Sequence, residues 1–190
     1  PYGRQQHNFE VDGTYQVLSH TKVTLGYEFE TINRDLTEVE DIYEHAGSIK
    51  LMSSPLPYAS GWLEYEYADR SGTDYVSNLP FLLSHNPDFL DDVDGTLDGV
   101  ISDPLDPELF EQNPYLRKYY IADRARHRVK GALNLTPSDD MSIGLLGSVD
   151  RSDFHDTLIG LTERDYASAT VDAAYTPTED VALSAFFTYD

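Results

Sequence analysis

Apolar and polar residues alternate one for one along most of this chain, over stretches longer than a soluble strand needs. In Lys22 to Glu30, the apolar Val23, Leu25, Tyr27 and Phe29 alternate with Thr24, Gly26, Glu28 and Glu30. A period of two sends consecutive side chains to opposite sides, so the segment reads as a strand with one apolar and one polar face. Phe9, Val11, Tyr15 and Val17 repeat the pattern, as do Leu63, Tyr65 and Tyr67, then Val129, Leu133 and Leu135. Met141, Ile143, Leu145 and Val149 follow, then Val171, Ala173 and Tyr175, and last Val181, Leu183, Phe187 and Tyr189. A weaker run from His45 to Ser53 sets Ile49 and Leu51 opposite Ser48 and Lys50. The pattern predicts about eight strands of roughly ten residues, the length that crosses a bilayer at a tilt of about 40°. Strands of soluble proteins average only about five or six residues. The expected fold is therefore all-β, an antiparallel transmembrane β-barrel, with residues 1–190 forming a single segment of it.

Short and long connections take turns between these runs. Short ones are expected at Leu18 to Thr21, Pro55 to Ser60, Thr136 to Asp140 and Thr176 to Asp180, where Pro, Ser, Thr and Asp favour tight turns. Long ones are expected near Asn33 to Tyr43, Ser71 to Ile121 and Arg151 to Asp165. Short turns at one end and long loops at the other are the asymmetry of an outer-membrane barrel, whose long loops are extracellular. The middle segment, residues 71–121, is longer than an ordinary connection and is read as a functional loop, partly folded over the barrel mouth. An internal repeat links "TPSDDMSIGLLGSVD" to "TPTEDVALSAFFTYD", and "SPLPYASGWLEYEYAD" fits the same frame. A repeat of about 40 residues also suits a β-propeller blade, but a blade needs four short strands where each repeat here holds two long ones.

Composition narrows the reading. No apolar stretch approaches the 18 or so residues of a transmembrane helix, which leaves barrel strands untouched because their alternation keeps mean hydropathy low; here it is -0.45. The opening "PYGRQQHNFEV" carries no cleavable signal pattern and reads as though already inside a strand, so a mature or fragmentary chain is expected. The net charge of -21 argues against nucleic-acid binding, which demands a basic face. Fourteen Tyr and eight Phe against one Trp suit strands and water–membrane boundaries. There is no cysteine, so disulfides, thiolate metal sites and a covalently attached c-type haem are excluded for this chain.

Candidate chemistry is sparse. Glu28, Glu30, Glu64 and Glu66 stand at i, i+2 spacing on polar strand faces. Such carboxylates can do acid–base work, but here they read as the lining of a wet lumen, together with Arg128, Lys130 and Asp172. No catalytic residue is assigned, and the chain is not read as an enzyme. The six histidines are scattered with no metal-binding spacing. The loop stretch "NPDFLDDVDGTLDGVISDPLDPE" offers Asp92, Asp94 and Asp98 as calcium candidates, against a plainer reading as a solvated acidic loop. Arg and acid residues adjoin at Arg34–Asp35, Asp69–Arg70, Asp123–Arg124, Asp150–Arg151 and Arg164–Asp165. With Arg117 and Lys118, the residues Arg34, Arg70, Arg124 and Arg151 are expected at the extracellular rim. They are either cross-strand ion pairs or arginines facing lipopolysaccharide phosphates.

The segment "NPYLRKYYIADRARHRVKGALNLTPSDDMSIGL" resembles the MtrB/PioB family of decahaem-associated outer-membrane barrels. "YEFETINRD", "GWLEYEYADRSGTDY" and "TPTEDVALSAFFTY" are similar to that family too, with "NPYLRKYYIADR" the most specific element. The resemblance implies a bacterial outer-membrane barrel that houses and insulates a periplasmic multihaem c-type cytochrome for electron transfer across the membrane. Haem would be carried by that partner and not by this chain, a surface cytochrome could dock outside, and outer-membrane lipid and lipopolysaccharide would surround the wall. Family members have far more strands, so a piece of a larger barrel is expected. A general porin or uptake channel and a soluble β-propeller-like binding module are the alternatives.

Overall fold

The computed structural model describes residues 3–35, 37–75 and 115–190. Among them lie eight strands: β1 (Arg4–Leu18), β2 (Thr21–Arg34), β3 (Asp41–Leu56), β4 (Ala59–Gly72), β5 (Arg124–Ser138), β6 (Met141–Phe154), β7 (Glu163–Thr178) and β8 (Val181–Tyr189). Each pairs antiparallel with the next, giving one meandering sheet in the order β1 to β8. No described strand bridges β8 back to β1, so the sheet is open, as a piece of a larger barrel wall would be. A propeller blade of four short strands is not what the repeats form.

Seven of the strands run 14 to 16 residues, longer than the alternation alone suggests. Both ends account for the difference. At the long-loop end, sequences such as Arg151–Asp153 and Glu163–Asp165 are polar at every position and read as loop, yet Arg151 pairs with Asp165 and Asp153 with Glu163 in the ladder. The β2–β3 and β6–β7 connections shrink to residues 35–40 and 155–162, and only the β4–β5 connection, residues 73–123, is long. Of that segment, residues 76–114 lie outside the described residues, and Asp92, Asp94 and Asp98 lie there with them.

At the other end the strands run almost to the turn. Leu18 pairs with Thr21, Leu56 with Ala59, Ser138 with Met141 and Thr178 with Val181, which leaves two residues per loop. None of these turn residues has positive φ, so they are not the mirror-image turns that match strand twist. A register shift just inside each hairpin supplies the missing twist. In three of the four, Pro55, Pro137 and Pro177 occupy the bulge, where a residue without an N–H leaves no ladder bond unmade. The residue before each proline donates its N–H to the carbonyl of the previous turn: Ser54 to His20 O (2.9 Å), Thr136 to Tyr58 O (2.8 Å) and Thr176 to Asp140 O (2.8 Å). The Ser/Thr-Pro repeat in the sequence is this hairpin.

Within the ladders, every registered pair except the four that close the hairpins joins residues of like parity, for example Glu28 with Ala46, Ala68 with Arg126, and Ser152 with Arg164. Even-numbered side chains therefore share one face of all eight strands and odd-numbered ones the other. The odd face carries Leu25, Ile49, Leu63, Val129, Leu145 and Val171, and is apolar. The even face is charged. On β6 the apolar odd positions run from Met141 to Val149, about 20 Å of height at a strand rise of ~3.4 Å and a tilt near 40°. Little is buried along this band. The hydrophobic cluster of Val39, Ile42 and Ile121, with Ile32 and Tyr75 packed on it, sits at the long-loop end.

Candidate functional site on the charged face

Parity alone brings the predicted residues together. Glu28, Glu30, Glu64, Glu66, Arg128, Lys130 and Asp172 all lie on the even face. Strand β5 is the centre of this face, because the sequence "RARHRVK" puts Arg124, Arg126, Arg128 and Lys130 at four successive even positions. Carboxylates flank it on both sides. Arg124 Nη2 lies 2.6 Å from Glu44 Oε2, and Arg126 Nη2 lies 3.4 Å from Glu44 and 2.7 Å from Glu66. Arg128 reaches back to Glu66 at 3.7 Å and forward to Asp150 at 2.9 Å, and Arg164 approaches Asp150 at 3.8 Å. One chain of charges thus crosses from β3 to β7.

Burial sharpens the picture. Asp150 is only 4% exposed and Ser152, which donates its hydroxyl to Asp150, only 2%. Ala46 and Ala68 are also buried; they share the Arg126 row, and small residues there leave room for long guanidinium arms. Among the described residues, Nε of Arg124 and of Arg126 has no hydrogen-bond partner, so these groups have capacity to donate. Nearer the turns, Lys50 pairs with Glu64 at 3.1 Å and rests over the Trp62 ring at 4.3 Å. Lys130, in register with Glu64, therefore finds that carboxylate already engaged.

Toward β1 the face turns acidic. Glu28 accepts from Asn8 (2.8 Å), Glu30 accepts from Gln6, and Glu10 and Asp12 stand in register with Glu28 and Gly26. Asp172 stands apart from the charge chain, with its carboxylate lying across Gly144. Sequence reasoning missed Glu44, Arg126, Asp150 and Arg164 as members of this face, and placed Lys50 on the polar side of its strand without naming it as part of the lining. The signal was available in the parity of "RARHRVK" against the acids two strands away, but it needs the register, which no single strand contains.

The rim arginines divide. Arg34, Arg70 and Arg124 are even and lie on the charged face, away from the apolar side; only Arg151 among the strand arginines is odd. Sequence neighbours such as Asp150 and Arg151 face opposite ways, so Arg151 pairs instead with Glu163 (2.9 Å) and Asp153 (3.5 Å).

Arg70 donates to the carbonyls of Tyr119 (2.6 Å) and Ala122 (2.8 and 3.0 Å), pinning the end of the β4–β5 connection over the charged face. Lys118 pairs with buried Glu38, Arg34 lies over the Tyr120 ring, and Arg117 contacts both Asp156 and the Tyr75 ring. Backbone bonds from Leu158 and Ile159 to Tyr115 O, and from Thr73 to Asp41 O, link the loops to one another and to the strand ends. Burial works against the charge of Lys118, but its hydrogen bond to Glu38 prevails and holds its pKa above the ordinary lysine value. Burial pushes the Asp123 carboxyl up, only partly offset by Arg117. Among the described residues no group of three or more His, Asp or Glu is arranged to hold a metal ion.

This wall, apolar on one side and charged on the other, has a counterpart among known families. The profile of the MtrB/PioB family, described as an outer membrane beta-barrel porin, matches residues 1–190. The chain belongs to the MtrB/PioB family. It is 24% identical over 189 residues to "Outer membrane protein MtrB" of Shewanella baltica (strain OS185), a match that covers 100% of this chain and 23% of that protein. The chain thus spans about a quarter of the length of the relative it matches. Membership makes these strands part of an outer-membrane β-barrel, in a family of porins and not of an enzyme class.

Proposed function

We propose that this chain is part of the wall of an outer-membrane barrel that houses and insulates a multihaem c-type cytochrome, the apolar face meeting lipid and the charged face meeting the occupant. The observation that carries the reading is the open sheet: eight adjacent strands do not close on themselves. A barrel of eight strands has an interior its own side chains can fill, whereas wider ones hold a channel or a plug. With no cysteine in this chain, covalently attached haem would be carried by something other than this part of the wall. On this reading the wall catalyses nothing. Its low-dielectric body excludes water and ions, and the charged face positions a separate electron carrier.

The paired charges suit that task. Between β3 and β7 the guanidinium groups are each met by carboxylates, so this sector presents a polar surface with little net field. The test is to purify the full-length protein from detergent-solubilised outer membranes and record the absorption spectrum. A haem Soret band that comigrates with the barrel in fixed proportion supports the sheath. A haem-free barrel that conducts ions in planar bilayers would instead make it a general uptake channel.

A further inference from the structure

On the apolar face, groups able to hold a positive charge are confined to a narrow belt. Every histidine within a described strand, namely His7, His45 and His127, is odd-numbered, and so is Arg151, the one strand Lys or Arg on this face. All lie in the long-loop half of their strands, beyond the aliphatic band. The same device is built there twice. The Tyr27 hydroxyl shares a hydrogen bond of 2.7 Å with His45 Nδ1, and the Tyr65 hydroxyl shares one of 2.8 Å with His127 Nδ1. A second aromatic ring supports each imidazole, Phe29 at 4.8 Å from His45 and Tyr67 at 5.0 Å from His127. The sequences "YEF" and "YEY" are two copies of this clasp.

We infer that His45 and His127, with Arg151 beside His127, form a binding site on the outer wall for the phosphate groups of lipopolysaccharide. The inference rests on the apolar face being the lipid face, as proposed above. An aromatic girdle marks the headgroup level of a barrel, and the long-loop end is the cell-surface end, where the outer leaflet lies. In each clasp the tyrosine occupies Nδ1, so the ring is fixed and Nε2 is left to meet a ligand. When the tyrosine donates to Nδ1, the imidazole proton sits on Nε2 and points outward as a donor. A phosphate oxygen selects that arrangement, and a charge-assisted bond to it is stronger than a neutral one.

His127 and Arg151 are in register across β5 and β6, so a ring N–H and a guanidinium meet one anion. His45 stands two strands away, about 12 Å off by strand spacing and rise, comparable to the span of a disaccharide carrying a phosphate at each end. The neighbouring acids act against any anion: Asp69 is in register with His45, Asp165 with Arg151, and Asp153 and Glu163 pair with Arg151.

The test uses the full-length barrel in detergent, titrated with lipid A and with dephosphorylated lipid A. Chelator in the buffer prevents divalent cations from bridging phosphate to the acids. Native mass spectrometry reads the bound fraction. The wild type should prefer the phosphorylated lipid, and the double substitution His45→Phe with His127→Phe should reduce that preference by about tenfold, the equivalent of one hydrogen bond to a charged group. Tyr27→Phe with Tyr65→Phe, which frees the rings and leaves their donors, should lower it less. An unchanged phosphate preference in the histidine double variant would overturn the site. The variant Leu25→Cys, labelled in parallel in vesicles, separates the two readings: labelling by a water-soluble reagent overturns the lipid-facing assignment itself, whereas labelling only by a lipid-soluble one leaves that intact whatever the lipid titration shows.

Discussion

Replacing Leu133 with arginine puts a charge on the apolar face of β5, and the adjacent Asn134→Arg puts the same charge on the opposite face. On β5 the odd positions run from Leu135 through Leu133, Gly131 and Val129 to His127 in the aromatic belt, which leaves Leu133 inside the aliphatic band. Its registered neighbours are Gly61 on β4 and Leu145 on β6, so no carboxylate is at hand to neutralise a guanidinium. A lipid-facing arginine costs about 2–4 kcal/mol at the bilayer midplane and less toward the interfaces. Leu133 lies off the middle of its run, so about 2 kcal/mol is expected. Asn134 faces the charged side between Ser60 and Gly144, where an arginine can remain hydrated, and the cost there should stay below about 0.5 kcal/mol, as for an ordinary surface substitution. Equilibrium unfolding of the full-length protein by denaturant in lipid vesicles measures both. Equal costs at the two positions would refute the assignment of faces by parity, and with it the lipid-facing reading of the whole odd set.

Three further perturbations probe the charged face and the loops above it. Asp150→Asn keeps the shape but removes the charge that Arg128 and Arg164 share; partial burial sets the loss at about 1–3 kcal/mol in the same unfolding assay, and Arg128→Met in that background should recover part of it. Arg70→Met releases the carbonyls of Tyr119 and Ala122, and hydrogen exchange should become faster at residues 115–123 while β4 and β5 stay protected. Burial raises the pKa of Asp123, so the folded state binds its proton more tightly than the unfolded one. Stability must then fall as pH rises from the ordinary carboxylate range through the raised value, and Asp123→Asn should flatten that part of the stability–pH curve.

The strands were legible because lipid and water impose a period of two that nothing else in the chain disguises. From Lys22 to Glu30 each residue declares its face, and the pairing of Val23 with Leu51 and of Leu25 with Ile49 follows. Strand ends were not legible, for two separate physical reasons. Where Arg151 and Asp153 leave the aliphatic band, both faces become polar and the alternation vanishes, although the backbone ladder continues. Beside Pro137 and Pro177 the ladder bends through a bulge, and a proline that reads as a loop signal sits inside a hairpin that continues past it.

The charged face was legible as a list and not as a network. Alternation identifies Glu66 and Arg128 as sharing a side, but it cannot say that Arg126 stands between Glu44 and Glu66, since Glu44, Glu66 and Arg126 come from three strands and meet only through register. Nor does local sequence reveal which charge serves which neighbour. Asp150 and Arg151 are adjacent in the chain, and simple proximity would pair them. The pleat separates them, committing Asp150 to Arg128 and Arg164 on one face and Arg151 to Glu163 on the other. That separation gives the two residues unrelated tasks. Asp150 helps hold the charges of the even face in mutual balance, while Arg151 is the one strand Lys or Arg on the apolar face, in register with His127 at the proposed phosphate site. One peptide unit thus divides the charged face from the apolar one. The Arg–acid pairs along the chain are best understood as this division repeated at successive strand ends, with Asp69 and Arg70 splitting the same way on β4.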